Sequence, residues 1–100
     1  MNLIFFPRKR AFENSIPIRE AIIDYLLHSP ETCHKASTAL PDETHFEYDL
    51  GMDSIGIVEL ILHLERKFQI DFDQAEDIPR LDTLGALAQF TFQLAKGEDL

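Results

Sequence analysis

Ser54 is the residue of this chain that is best placed to carry chemistry. It directly follows Asp53, and Gly51 lies two residues before that aspartate. Apolar residues recur at helical spacing from Ile57 onward, which predicts that Asp53 caps a helix and that Ser54 begins it. A hydroxyl there would be exposed, and the positive end of the helix dipole would favour a phosphate ester on it. Considered by itself, however, Ser54 is better explained as a residue that simply suits the first turn of a helix.

The residues around this serine form a longer motif. Residues 48–60 read YDLGMDSIGIVEL, and this run resembles the phosphopantetheine attachment site of acyl carrier proteins. The core of that site reads leucine, glycine, any residue, aspartate, serine, leucine or isoleucine, and then a helix with valine-glutamate-leucine. Every one of these positions matches. The resemblance continues through Leu64-Glu65 and Phe68 to Ile70, resumes at residues 81–84, and covers about residues 17–95.

The resemblance implies a carrier and not an enzyme. In this family a phosphopantetheinyl transferase moves 4′-phosphopantetheine from coenzyme A onto the serine, here Ser54. Acyl groups then ride as thioesters on the thiol of that arm. The preceding aspartate, here Asp53, helps the transferase to hold its magnesium ion, and no metal site of the chain's own is expected. Because the reactive thiol belongs to the cofactor, the protein only attaches the arm, protects the acyl group and is recognised by partner enzymes.

The helix that begins at Ser54 also carries the expected partner-binding residues. Glu59 lies opposite its buried stripe on a helical wheel, with Ile55 and Leu62 flanking that outer face and Glu65 farther along. In the family this helix is the docking surface, and its acidic residues meet arginines and lysines of transferase, acyl-loading, synthase and acyltransferase enzymes. Surface glutamates are ordinary on an amphipathic helix, so this assignment depends on the resemblance.

The negative charge of the chain is concentrated in its middle. The formal net charge is −9, and residues 42–82 contain 12 acidic residues against Arg66, Lys67 and Arg80. Such a field repels nucleic acid and anionic lipid headgroups and favours basic protein surfaces. We therefore expect basic protein partners and no binding to nucleic acid.

Several positions depart from the pattern of the family. Gly56 stands where many fatty-acid carriers have an acidic residue, Arg66-Lys67 stands where they often continue with glutamates, and the N-terminal arm is extra. These departures favour a specialised carrier of fatty-acid, lipid or polyketide synthesis. A peptidyl or aminoacyl carrier of a nonribosomal pathway is the alternative. An unmodified, carrier-like helical adaptor is a rival of another class, and the intact Asp53-Ser54 pair argues against it.

An enzyme with Ser54 as nucleophile is a weaker hypothesis. A nucleophile elbow needs glycine two residues on either side of the serine, and only Gly56 fits, since Met52 occupies the upstream place. His45 and His63 could act as bases, but a helical bundle of 100 residues has little room for a substrate pocket. We therefore expect a protein without catalytic residues.

A metal site is weaker still. His28, Cys33 and His34 are close in sequence, but their spacing matches no zinc pattern and a fourth ligand is missing.

The first half of the chain is predicted to contain one helix and one long connection. Pro17 suits a helix start, and an apolar face at helical spacing predicts a helix over residues 18–29, ended by Pro30. That face comprises Ile18, Ala21, Ile22, Tyr25 and Leu26. No periodicity holds from Pro30 to Met52, so we expect a long loop with a short turn near residues 36–40.

The second half is predicted to contain two long helices and a short one. The strongest apolar stripe, which comprises Ile57, Leu60, Ile61, Leu64 and Phe68, predicts a helix over residues 54–68. Residues 69–72 read as an extended connector, and a one-turn helix is predicted at residues 76–78. Asp82 or Thr83 should cap a last helix that ends at Gly97. Its predicted core face is Leu84, Leu87, Ala88, Thr91 and Leu94, with Phe90 beside it. The expected fold is an all-α, acyl-carrier-like bundle of three long helices and one short helix, with a long first loop.

The expected organisation is one small domain with short flanking segments. Residues 1–15 form an arm that is either extended or disordered, residues 16–97 form the carrier domain, and residues 98–100 form a tail. Apolar runs are only a few residues long, so no membrane span is expected. One cysteine cannot form an internal disulfide, which favours a cytoplasmic location. We expect a monomer.

Overall fold

The computed structural model describes residues 14–75, 78 and 80–97. Within them lie three α-helices, α1 (Ile16–His28), α2 (Ser54–Phe68) and α3 (Leu84–Gly97), and a short 3₁₀ helix at Phe72–Gln74. This part of the chain contains no strand, and its only β-type pairing is an isolated bridge between His45 and Thr83. The all-α prediction is therefore confirmed. No helix among the described residues is both long enough and apolar enough to cross a membrane.

Helix α1 begins two residues before the predicted start and ends one residue before the predicted end. Pro17 lies in its first turn, where the missing N–H costs nothing, and the Asn14 Oδ1 accepts a hydrogen bond from the Ile16 N–H (2.9 Å). Ser29 is extended (ψ 131°), because the ring of Pro30 disfavours helical backbone in the residue before it. The proline therefore stops α1 at His28.

The three helices enclose one apolar core. Helix α1 contacts both α2 and α3. The core comprises Ile18, Ala21, Ile22, Ile23, Leu26, Phe46, Leu50, Met52, Leu60, Leu64, Phe72, Leu84, Leu87 and Ala88. The predicted faces of α1 and α3 are largely confirmed, but Tyr25 is only half-buried and Ile23 is buried instead. On α2 the most deeply buried side chains are Leu60 and Leu64, with Ile57, Ile61 and Phe68 partly buried beside them.

The long connection between α1 and α2 is more ordered than its sequence predicted. It contains turns at residues 30–35, 42–43 and 46–50 as well as one within the predicted stretch, at residues 38–39. The buried Thr32 hydroxyl donates to the Leu26 carbonyl oxygen (2.7 Å), which ties the loop to the open end of α1. Phe46 is fully buried. The sequence did not indicate this order because turns and buried anchors carry no periodicity.

This connection also holds the start of α3. The Leu84 and Gly85 N–H groups donate to the carbonyl oxygens of Thr44 and Asp42 (both 2.9 Å). A Cβ on Gly85 would lie 2.7 Å from the Cβ of Asp42, so this close approach needs glycine. The Thr83 hydroxyl accepts from the Ala86 N–H (3.2 Å), which identifies Thr83 as the cap of the two residues predicted.

The segment between α2 and α3 corrects one prediction. Residues 69–72 were expected to be extended, yet Phe72 begins the 3₁₀ helix and is buried. The predicted one-turn helix at residues 76–78 falls mostly outside the described residues, as do residues 1–13 of the predicted arm and the predicted tail at 98–100. The driving force for the 3₁₀ turn is the burial of the Phe72 ring, which packs against the Phe90 ring with 5.5 Å between the ring centroids.

Two buried threonines provide a matched test of this packing. Thr91 and Thr32 are both fully buried, but the Thr91 hydroxyl has no hydrogen-bond partner among the described residues, whereas Thr32 has one. An unsatisfied buried hydroxyl costs free energy that an isosteric methyl does not. We expect Thr91→Val to raise the free energy of unfolding by about 1 kcal/mol and Thr32→Val to lower it by about 1 kcal/mol. Urea unfolding measures both, and equal losses in the two variants would contradict the prediction.

Candidate functional site

The start of α2 is determined by Asp53. Its backbone is extended (φ −100°, ψ 179°), and its Oδ1 accepts a hydrogen bond from the Gly56 N–H at 2.8 Å. The Asp53 carbonyl accepts the first helical hydrogen bond, from the Ile57 N–H (3.1 Å). The predicted cap is therefore confirmed, and so are both predicted ends of this helix.

The loop before Asp53 directs Ser54 outward. Gly51 adopts a left-handed conformation (φ 75°) that strains any residue with a side chain, and Leu50 and Met52 on either side of it are each 2% exposed. Two buried neighbours anchor the turn to the core. Ser54, the first residue of the helix, is exposed.

The position of the Ser54 hydroxyl suits a phosphate ester. The first N–H groups of an α-helix have no partner within the helix, and together with the dipole they favour a negative charge. The Lys35 ammonium lies 3.6 Å from the point where a Cβ on Gly51 would be, which adds positive charge beside the loop that leads to Ser54. Asp53 is exposed, and its Oδ1 is the oxygen used by the cap. The residues present therefore fit a phosphate group on Ser54.

The outward face of α2 exposes apolar side chains. Ile55, Val58 and Leu62 are 67%, 53% and 45% exposed, and Glu59 is exposed among them. The sequence analysis named Ile55, Leu62 and Glu59 but missed Val58. Its spacing could have indicated its place on this face, since Val58 lies three residues after Ile55 and four before Leu62, on the same row of the helix.

Glu65 differs from the other acidic residue of this face. It is only half-exposed, and its Oε2 accepts a hydrogen bond from the Phe72 N–H at 2.8 Å. Its carboxylate therefore helps to hold the 3₁₀ helix against α2. The sequence predicted Glu65 as a docking residue and gave no indication of this hydrogen bond within the protein.

Neither histidine that was considered as a base serves Ser54. The His45 Nδ1 accepts hydrogen bonds from the Glu47 and Tyr48 N–H groups (3.2 and 3.1 Å), and its ring stacks on that of Tyr48. His63 lies nine residues along the helix, about 14 Å from Ser54 along the axis. Its ring contacts that of Tyr25, and burial, with Lys67 and Arg66 nearby, lowers its pKa.

The structure also gives no support for a metal site at His28, Cys33 and His34. The His28 Nδ1–H donates to the Asp24 carbonyl oxygen (2.8 Å), and Cys33 is an exposed free thiol. Among the residues that the structure describes, no group of three or more His, Cys, Asp or Glu side chains could hold a metal ion.

Comparisons with known proteins identify the family. A family model described as the phosphopantetheine attachment site matches residues 31–91, which include Ser54. An acyl carrier protein of Wolinella succinogenes is 32% identical over 73 residues, which are 73% of this chain and 86% of that relative. This chain belongs to the acyl carrier protein family. An acyl carrier protein of Sulfurovum sp. (strain NBC37-1) is 36% identical over 63 residues, covering 61% of this chain and 75% of that relative.

Membership of the acyl carrier protein family decides the class of function. The chain is a carrier and not an enzyme, and its cofactor is phosphopantetheine. Its work therefore depends on enzymes that load, modify and unload it.

The cap of α2 can be tested separately from any function. Asp53→Ala removes the acceptor for the Gly56 N–H and should lower the free energy of unfolding by about 1 kcal/mol. Asn is as good a cap as Asp, so Asp53→Asn should keep most of that stability. Urea unfolding of the three proteins checks this, and an Asn variant as unstable as the Ala variant would show that the hydrogen bond is not the stabilising interaction.

Proposed function

We propose that Ser54 carries phosphopantetheine and that the protein holds acyl intermediates on this arm and presents them to partner enzymes. The observation that carries the proposal is the exposed Ser54 hydroxyl on the first residue of α2, held there by the Asp53 cap. During attachment the Ser54 oxygen forms the new bond to phosphorus, the nucleotide part of coenzyme A leaves, and the hydroxyl proton passes to the transferase. The bound arm supplies the thiol that forms thioesters.

Asp53 has two roles in this proposal. Its Oδ1 caps the helix, and because the residue is exposed its carboxylate also reaches the surface beside Ser54. Carboxylate oxygens are preferred ligands of Mg²⁺, which binds together with phosphate groups in phosphoryl-transfer sites. We therefore assign Asp53 to the magnesium ion of the transferase. The chain needs no metal site of its own.

An apolar groove beside the outward face is suited to shelter an acyl chain. It lies between α2 and the segment that leads to α3 and has a volume of about 230 Å³. Its lining is mainly apolar (Val58, Ile61, Leu62, Phe72, Ile78 and Leu81), together with Glu65 and Asp73. Burial of methylene groups in such a groove is favourable by about 0.8 kcal/mol each. We assign this groove to the acyl chain between visits to partners.

The outward face of α2 is the proposed docking surface. Ile55, Val58 and Leu62 offer apolar area, and Glu59 offers charge. The net charge of −9 should steer the carrier toward transferase, acyl-loading, synthase and acyltransferase enzymes with basic patches. Arg66 and Lys67 at the end of α2 should make its choice of partners differ from that of an all-acidic carrier.

The pathway is proposed from the departures noted in the sequence. The glycine at position 56 and the basic pair at Arg66-Lys67 favour a specialised fatty-acid, lipid or polyketide pathway over the housekeeping one. A peptidyl or aminoacyl carrier is the alternative. We propose that the protein acts as a monomer in the cytoplasm.

The attachment site can be tested by transfer in vitro. The purified chain, incubated with coenzyme A, Mg²⁺ and a broad-specificity phosphopantetheinyl transferase, should gain one adduct, and Ser54→Ala should gain none. Ser54 is exposed, so the variant should keep its thermal unfolding midpoint. Ser37→Ala, at an exposed serine outside both cavities, is the matched control and should be modified like the wild type. An adduct on the Ser54→Ala protein would refute the assignment.

The docking surface can be tested by reversing one charge. Glu59→Lys should lower kcat/KM for modification of Ser54 about five-fold or more at low ionic strength and flatten its dependence on salt, because the pairing of opposite charges is lost. Glu20→Lys on α1 is exposed and changes the net charge equally, so it controls for long-range effects. Equal rates for the two variants at all salt concentrations would place the docking surface elsewhere.

A further inference from the structure

A second cleft lies on the other side of the outward face of α2. It separates the end of α1 from the middle of α2 and has a volume of about 430 Å³. Its lining comprises Asp24, Tyr25, His28, Ser29, Pro30, Glu59 and His63. On α2, Glu59 and His63 lie one turn apart on the flank opposite to the apolar groove. We call this space the α1–α2 cleft. Its lining residues are mostly polar, whereas those of the groove are mostly apolar.

Glu31 lies at the end of this cleft that is nearest to Ser54. A Cβ on Gly56 would lie 2.6 Å from the Glu31 Oε1 and 3.4 Å from the Asp53 Oδ1, so the two carboxylates converge on the first turn of α2. Glycine at position 56 leaves this space to the Glu31 carboxylate, which would have to move if a side chain stood there. Gly56 and Glu59 are three residues apart on one flank of the helix, so Glu31 lies beside Glu59.

The two glutamates act on one aromatic ring. Burial raises the pKa of the Tyr25 phenol and the charges of Glu59 and Glu31 raise it further, while the charge of Arg66 lowers it. His63, which contacts this ring from the far side, has a lowered pKa and is mainly neutral at neutral pH. The cleft therefore combines carboxylates with an aromatic wall, which is the environment that a guanidinium or ammonium group requires.

We propose that the α1–α2 cleft receives one basic side chain of a partner enzyme, held by Glu31 and Glu59 against the Tyr25 ring. The proposal rests on the proposed carrier function. The apolar face of α2 provides one contact next to Ser54, and the cleft provides a charged contact on the α1 side. Two contacts of different chemistry define the orientation of the partner about Ser54, and glycine at position 56 leaves room for the Glu31 carboxylate between them.

The test compares two glutamate-to-glutamine variants that have the same net charge. With a broad-specificity transferase, Glu31→Gln should lower kcat/KM for Ser54 modification about three-fold or more at low ionic strength, and the difference should shrink as salt screens the charge. Glu43→Gln removes the same charge from another exposed residue and should change kcat/KM less than two-fold. Thermal unfolding midpoints of both variants should match that of the wild type.

A second variant asks whether the position of the carboxylate matters. Glu31→Ala removes the side chain together with its charge, and Gly56→Asp added to this variant returns a carboxylate to the vacated space from the helix. The double variant should recover most of the kcat/KM that Glu31→Ala loses, and a kcat/KM no higher than that of Glu31→Ala would overturn the inference. Equal kcat/KM values for Glu31→Gln and Glu43→Gln would overturn the inference about the cleft and leave the proposed function standing. A wild-type chain that gains no adduct would overturn the proposed function, and this inference with it.

Discussion

The hydrogen bond from the Gly56 N–H to the Asp53 carboxylate is the interaction on which the site depends. A helix must begin where its first N–H groups find acceptors, and Asp53 supplies one for α2. Because the helix begins there, Ser54 is its first residue and stays exposed while Leu60 and Leu64 turn inward. The turn at Gly51, with a buried residue on each side, delivers Asp53 to this place.

The surface around Ser54 follows from the geometry of a single helix. With 3.6 residues per turn, α2 divides into a buried stripe, an outward face and two flanks. One flank borders the apolar groove that leads to Leu81, and the other borders the α1–α2 cleft with Glu59 and His63. Shelter for an acyl chain and charge for partners thus lie on opposite sides of the same serine.

Local signals explain how much of the structure the sequence could predict. The limits of α2, its Asp53 cap and the Thr83 cap of α3 were correct because capping residues and apolar periodicity lie within a few residues of the features that they determine. Ser54 was singled out in the same way. The family motif, not its position alone, raised it above an ordinary first-turn serine.

Contacts between distant residues account for what the sequence did not reveal. The approach of Glu31 to Gly56 and the bond from Phe72 to Glu65 join residues of different segments, and neither leaves a local pattern. The order of the loop after α1 likewise depends on the bond from Thr32 to Leu26. The first two of these contacts decide how far the Glu31 and Glu65 carboxylates remain available to partners.

The most direct measurement is peptide mass spectrometry on this chain isolated from the cells that express it naturally. A carrier in use should bear phosphopantetheine or an acylated arm on the peptide that contains Ser54, and the attached acyl group would identify the pathway. We expect this adduct on most of the protein and on no other serine. A chain that is folded, abundant and wholly unmodified at Ser54 would contradict it and would favour an adaptor that never carries an acyl group.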